Sequence, residues 1–312
     1  MAFGQYVNLD FDQIKTSIKD YLRSNTNFTD YDFEGSNLSI IIDALAYNTY
    51  ITSYNTNMAA NECFLDSSTL RENVVSLARN IGYVPRSRRS SRARISFNIS
   101  EITETVTATV RAGIICNGSA ANTSYIFSIP EDITVPVVDG VAVFDNIEIY
   151  EGTLINQNFT VNTSQFNQRY ILSNSFIDTS TIRVKVKPDE SSSSTVTYQQ
   201  IDNIVGVTST SSSYLLQEIE DERYELIFGD NVIGKKLSND NYITVSYIIT
   251  SGKDGNGASE FSFIGNIIDQ DGATIDASNF SLVTTEESSR DGDEIESISS
   301  IKYYAPRIYS SQ

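Results

Sequence analysis

Histidine and tryptophan are both absent from the 312 residues. Without histidine the chain lacks the commonest general base, the base of the usual serine and cysteine triads, and a ligand of most zinc sites. Carboxylates, tyrosines and lysines remain, yet the composition points away from an enzyme, with no cofactor, no metal and no small-molecule substrate expected. Cysteine is limited to Cys63 in a helix-like stretch and Cys116 in a strand-like one. One possible pair is no disulfide scaffold in a chain this long, so two buried free thiols are expected. Positive charge is scarce: 22 Lys and Arg stand against 40 Asp and Glu, a net charge of −18. Such a chain repels nucleic acid and anionic membranes at long range, and neither is expected as a partner. No run approaches the roughly 20 apolar residues of a membrane helix. The opening MAFGQYVNLDFDQ lacks the basic and apolar regions of a secretory signal, so folding in a cytoplasm is expected.

What is present reads as an α+β protein: an N-terminal helical segment, then mainly antiparallel β domains, then the start of a further helix. In NLDFDQIKTSIKDYLRSN, residues Phe11, Ile14, Ile18, Tyr21 and Leu22 recur at spacings of three and four, with Lys15, Lys19, Asp20 and Arg23 on the wet side. A loop rich in aromatic and acidic residues, NFTDYDFEGSN, follows. A longer helix is predicted from Leu38 to Cys63, with Leu38, Ile41, Ile42, Leu45 and Ala46 as its buried stripe. A third, TLRENVVSLARNIGY, carries Thr69 and Glu72 in capping-box spacing and an apolar face of Leu70, Val74, Leu77 and Ile81. Gly82 is its expected C-terminal cap, and Pro85 ends the segment. The stripes suit an internal core and an intersubunit bundle equally, so Phe11, Ile14, Ile18, Leu22, Leu38, Ile41, Ile42 and Leu45 are candidate partner-interface residues. The segment 1–85 is taken as a helical domain that docks partners.

PRSRRSSRARISFNIS holds the densest positive charge in this acidic chain. Arg86, Arg88, Arg89 and Arg92 are further interface candidates for an acidic neighbour; a solvated linker or strand edge is the alternative. No aromatic residues interleave with the arginines, which disfavours nucleic acid. From Ile95 to Phe280, alternating runs such as RARISFNI, YIFSI, TIRVKVK and YITVSYIIT are punctuated by Gly, Asn, Asp and Ser, so 86–290 reads as one or two β domains. In 291–312, Glu294, Ile295, Ile298 and Ile301 have helical spacing, Asp291 or Asp293 is the expected cap, and the element looks incomplete at Gln312.

The stretch YELIFGDNVIGKKLSNDNYITVSY resembles a phosphate-binding loop only superficially. Gly229 and Gly234 are five apart and Lys235 follows, but the next residue is Lys236, not Ser or Thr, and a strand pattern replaces the required helix. A turn between two strands fits every residue, with the glycines supplying positive φ. The same order, Phe228-Gly229-Asp230 and Gly234, then Ile243, Val245 and Tyr247, then Gly252, Gly255 and Gly257, resembles the signature of the baseplate J-like family. DGDEIESISSIKYYAPR (291–307) and NECFLDSSTLRENVVSLARNIGYVPRSRRS (61–90) resemble further segments of the wedge proteins of contractile-tailed phages.

That resemblance implies a structural protein of a baseplate wedge, located in the virion tail and assembled in the host cytoplasm. It implies pairing with a second copy of the chain and with other wedge proteins, including a sheath-initiator-type protein. The wedges would form a ring around the tail hub that rearranges to trigger sheath contraction. A phage-derived injection system and a carbohydrate-binding fibre adhesin are the alternatives. Gly229, Asp230, Gly234, Gly252, Gly255 and Gly257 are then family turn residues.

Overall fold

The computed structural model describes residues 10–24, 37–102, 105–201, 206–275 and 281–308. The loop 27–36 and the last four residues lie outside them. The chain divides into two compact units, one of Met1–Tyr83 with Ser297–Gln312, the other of Val84–Glu296.

In the first unit, α1 spans Phe11–Arg23, and Asp10 caps it by accepting the N–H of Asp12 at 2.9 Å and of Gln13 at 3.1 Å. Lys15, expected on the wet face, is half-buried and pairs with Asp43 of α2 (Asn37–Glu62) at 2.5 Å. The apolar stripe of α1 is only half-buried, and Tyr21 is exposed. α3 spans Arg71–Asn80 and ends as expected: Gly82 has φ of +79°, its N–H reaches Arg79 and that of Tyr83 reaches Ala78. The expected capping box does not form, because the helix begins at Leu70 without a side-chain cap from Thr69. Glu62, at the end of α2, holds the entry to the helix instead. Its carboxylate accepts the Thr69 N–H and hydroxyl, both at 2.7 Å, the Asn73 amide at 2.8 Å and the Leu70 N–H at 3.3 Å.

The last helix, α4 (Ile298–Tyr304), packs on α3 through Val74, Val75, Ala78, Ile301 and Ala305. Its cap is Ser297, whose Oγ accepts the Ser300 N–H at 3.2 Å; neither Asp291 nor Asp293 serves. Residues 291–296 are extended because Arg89 and Asp293 bridge them to the residues after Pro85.

The second unit is built of strands. The first six are β1 (Arg92–Ile99), β2 (Thr107–Val110), β3 (Gly113–Ala120), β4 (Thr123–Ile129), β5 (Ile133–Val138) and β6 (Val141–Glu151). Next come β7 (Thr153–Thr160), β8 (Tyr170–Ile171), β9 (Ile177–Lys187), β10 (Val196–Gln200), β11 (Ser213–Glu218), β12 (Tyr224–Phe228) and β13 (Tyr242–Ile249). β14 (Glu260–Phe263), β15 (Ile267–Ile268) and β16 (Thr284–Arg290) complete the set. One sheet runs β14-β3-β4-β6-β5-β2-β15, with β1 joining β6 to β16; the other runs β7-β13-β9-β10-β11-β12-β8. All pairings are antiparallel except β10 with β11. Alternation does what it predicts: Ile95, Phe97 and Ile99 of β1 face one core, and Ile243, Val245 and Tyr247 of β13 face the other. The expected burial of both thiols holds for Cys116 alone; Cys63 is exposed at the end of α2.

The sheets meet at one corner. β6 crosses into β7 through Gly152, at φ of +123°, where a Cβ would stand 2.1 Å from the Ile249 carbonyl. The Gly152 N–H bonds Ile126 on one sheet, and its carbonyl accepts the buried Ser128 hydroxyl at 2.7 Å.

Two outcomes follow from this packing. Gly152→Ala combines a disfavoured φ with a backbone clash, and is expected to destabilise the β unit by more than about 2 kcal/mol in denaturant unfolding. The Glu62 carboxyl, which desolvation alone would raise, is held down at about 2 by bonds from Asn73, Thr69 and Leu70. A depressed carboxylate stabilises the fold above its unfolded pKa and loses that contribution as pH falls through the folded value. Glu62→Gln is therefore expected to cost about 1 kcal/mol at pH 7, a typical cap loss, and the difference from wild type should vanish between pH 4.5 and about 2, read by urea titration of both proteins.

Candidate functional site

Three of the segments singled out above converge in the β unit. Residues 86–91 run antiparallel to 291–296: the Arg89 and Asp293 backbones exchange N–H to C=O bonds of 3.0 and 3.1 Å, and the Glu296 N–H bonds the Arg86 carbonyl at 3.1 Å. The Glu296 carboxylate returns to the Arg86 N–H at 2.9 Å. Side chains reinforce this ribbon. Arg86 pairs with Asp293 at 2.6 Å, and Arg88 with Glu294 at 2.9 Å. The Arg88 guanidinium also lies 4.6 Å from the ring centre of Phe176. Arg92 stands over Tyr150 and donates to Ser180 at 3.1 Å. Arg89 is exposed. The candidate arginines thus divide: Arg86, Arg88 and Arg92 are engaged within their own unit, and Arg89 presents its side chain to solvent.

The third segment, Thr250–Ala258, closes over the ribbon. Ser91 donates to the Gly252 carbonyl at 2.9 Å, and Asn256 exchanges side-chain bonds of 2.9 Å with the backbone of Gly292. Gly252 and Gly257 have positive φ, as expected of turn glycines. Gly255 does not; its requirement is space, since a Cβ would lie 2.6 Å from Cγ of Glu151. Gly229 is likewise a contact glycine, with a Cβ only 2.2 Å from the backbone of Gly234, whose φ is +79°. Asp230 closes that turn by accepting the N–H groups of Val232 and Ile233, both at 2.9 Å.

Sequence pattern alone missed two buried carboxylates beneath this hub. Asp178, fully buried, accepts the Ser90 N–H at 2.8 Å and the Ser180 N–H and hydroxyl at 3.0 and 2.7 Å. Glu151 accepts the Thr250 hydroxyl at 2.5 Å and the Ser251 N–H at 3.0 Å. Burial pushes the Glu151 carboxyl up, those two bonds oppose the rise, and the charge of Asp254 adds to it. Each acid lies in an ordinary strand pattern, so its role as a backbone clamp is visible only in three dimensions. Every oxygen just named is engaged in holding chain, which makes the hub a structural joint.

The helical unit offers the contrasting feature. The buried face of α2 is mostly small or polar, with Ile42 its one large apolar member: Ser39, Ile42, Ala46, Ser53, Asn57 and Asn61. Of the stripe expected to be buried, Ile42 and Ala46 are, Leu38 is half-buried, and Ile41 and Leu45 are exposed. Also exposed are Ile40, Ala44, Tyr47, Ile51, Tyr54 and Met58. Their spacings of 4, 3, 4, 3 and 4 repeat every seven residues, the seam of a coiled coil. Phe11, Ile14, Ile18 and Leu22 of α1 are half-buried. In α3 the buried positions are Val74, Val75 and Ala78, not the full stripe expected, and Leu70 is exposed.

Residues 10–83 match the family model described as the helical domain of gp6-like baseplate wedge proteins. Over 276 residues the chain is 27% identical to the baseplate wedge protein gp6 of Enterobacteria phage T4. That alignment takes in 83% of this chain and 41% of the relative, so the chain spans about two fifths of its length. The resemblance to contractile-tail wedge proteins read from the motifs is borne out by both matches.

The ribbon carries its own test. Desolvation pulls the Asp293 carboxyl upward, but the bond and charge of Arg86, the Glu294 N–H and the charge of Arg89 outweigh it, and the group titrates below an ordinary aspartate. Its contribution is therefore present above the unfolded pKa and lost as pH falls through the folded one. Both side chains of the Arg86–Asp293 pair are about half exposed, so a double-mutant cycle of Arg86→Ala with Asp293→Asn should return at most about 1 kcal/mol. The cycle for the less exposed Arg88 with Glu294 should return more, and a larger value for Arg86–Asp293 would contradict this ranking.

Proposed function

We infer that the chain is a structural component of the baseplate wedge of a contractile phage tail, acting by assembly and not by chemistry. Its place is the virion tail, after assembly in the host cytoplasm. The observation that carries this reading is the exposed seam of α2, which lies within residues 10–83, the part matched by the wedge helical domain. A 26-residue helix that turns Ile42 inward with Ser, Ala and Asn, and turns Ile40, Ile41, Leu45, Tyr47, Ile51, Tyr54 and Met58 outward, leaves a run of large apolar side chains exposed. Burying such a seam against another helix supplies association energy in proportion to the apolar area removed from water.

The partner this reading names first is a second copy of the chain, whose α2 offers the same seven-residue repeat. Other wedge proteins, including one of the sheath-initiator type, would complete the assembly into a ring around the tail hub. Rearrangement of that ring would release sheath contraction. The corresponding baseplate of a phage-derived injection system would use the same surfaces. The β unit, with its polar groups spent on an internal joint, suits a rigid arm that transmits position. The fibre-adhesin alternative gains no support from the wedge-like helical domain.

Gold-labelled antibody against the chain should mark the distal end of contractile tails in electron micrographs; label confined to fibres would refute the assignment. In sedimentation experiments the wild type should self-associate, and Ile51→Asp with Tyr47→Ser, both on exposed positions, should weaken association by at least about tenfold, the effect of roughly 1.4 kcal/mol. Unchanged association in that variant, with the fold intact by circular dichroism, would remove α2 as the interface.

A further inference from the structure

At the end of the second sheet farthest along its strand order, the ladder stops short. β12 pairs with β11 over all five residues, from Glu218↔Tyr224 to Tyr214↔Phe228. On its other edge β8 covers only Glu225 and Leu226. The Tyr224 carbonyl points to that second edge, because it accepts the Leu172 N–H at 2.8 Å. Main-chain groups two residues apart along a strand point the same way. Those of Leu226 and Phe228 therefore face the same edge, and the ladder with β8 ends at Leu226, short of Phe228. Gln168, in register for Phe228, forms no ladder pair with it; its side chain turns to the end of β7, donating to the Thr160 carbonyl at 2.8 Å and accepting the Asn162 N–H at 2.8 Å.

The gap so created is a cleft of about 400 Å³, lined by the β12 edge, by Tyr170 and Gln168, and by Lys236 and Leu237. Its two bordering loops are held in place. Thr163 N–H bonds Asn239 at 3.0 Å; Asp230 ties Val232 and Ile233; and Asn231 accepts the Lys236 N–H at 2.9 Å. Yet these ordered loops hold apolar side chains out to water, with Phe166 at 91% and Val232 at 74% exposure. Phe166 and Val232 belong to the bordering loops and do not line the cleft itself; a strand edge whose ladder ends at an open cleft has the form of a strand-addition site, where backbone bonds supply affinity and flanking pockets take alternate side chains.

The charge around the cleft selects the occupant. Lys236 lines the cleft and Lys235 precedes it in the chain; both are exposed, and among the described residues neither has a carboxylate within ion-pairing distance. Lys236 lies in the field of Asp230, whose carboxylate is bonded to the turn's own amides. The carboxylate on the floor, Glu225, is neutralised by Arg169 through two bonds of 2.7 and 2.6 Å. In a chain of net charge −18, this rim is locally positive. We propose that the open edge of β12 binds an extended, acidic segment of another protein, which adds a strand beside Phe228 and sets its carboxylates against Lys235 and Lys236. This site is separate from the α2 seam and does not depend on the wedge assignment.

The test uses the full chain and a random twelve-residue peptide library displayed on phage. Peptides enriched on the chain should be acidic with alternating apolar residues. The strongest, synthesised, should slow hydrogen exchange at the Phe228 amide, and Lys235→Glu with Lys236→Glu should weaken its binding by at least about tenfold, since charge pairs flanking an interface govern partner choice. Both lysines are exposed, so unfolding is not expected, and a thermal melt of the variant verifies it. Enriched peptides that are not acidic, that bind the double variant equally well, or that leave the Phe228 amide unchanged would overturn the proposal, as would an absence of enrichment over a bare surface. Peptides that protect α2 amides in place of Phe228 would also overturn it while leaving the α2 interface standing.

Discussion

The β unit depends on backbone passing closer to backbone than a side chain allows. At Gly152 the chain leaves one sheet for the other against the Ile249 carbonyl. At Gly292 a Cβ would sit 2.2 Å from the Ser91 hydroxyl and 2.4 Å from the Gly252 carbonyl. These approaches bring the ends of β6, β13 and β16 together, and the hydrogen bonds of Ser91, Asn256 and Thr250 saturate what is left. Buried backbone must find partners. Here it finds them in hydroxyls, one amide and the two clamped carboxylates, because no ladder continues through a corner.

The ribbon of 86–91 with 291–296 follows from the same constraint. Once Gly292 is pinned beneath Asn256, the residues after it are held extended, and their acids meet the arginines that follow Pro85. Arg86 with Asp293, a half-exposed pair, then sets register more than it adds stability, and the less exposed Arg88 with Glu294 adds the larger share. Glu62 plays a comparable part in the helical unit, where one carboxylate at the end of α2 ties the Thr69 and Leu70 amides that lead into α3.

The surfaces left over are of two kinds. The α2 seam is apolar and regular, which suits a partner helix, whereas the β12 edge is a main-chain surface with a cationic rim. The largely internal use of the hub's polar groups, Arg89 excepted, separates both from the joint that carries the motif residues. The motif glycines are therefore better understood as the geometry of this joint than as a contact surface.

Periodicity and punctuation determined much about this protein by themselves. Helices near 11–22, 38–63 and 69–82, alternating strands from 92 onward, and turns at Gly229–Gly234 and Gly252–Gly257 all follow from local chemistry that needs no distant neighbour. The order of the motifs pointed to the wedge relatives for the same reason. Tertiary structure decided the rest. Which side of α2 is covered depended on neighbours, so Ile41 and Leu45 lie outside while Ser53 and Asn57 lie inside. The entry to α3 is held by Glu62 and not by a capping box, because an acid seven residues before Thr69 takes the Thr69 N–H that Glu72 would accept in such a box. The arginines that looked free met Asp293 and Glu294 across some 200 residues of chain, a distance over which spacing carries no information. Buried Asp178 and Glu151 read as ordinary strand residues until the corner between the sheets brought unpaired backbone to them.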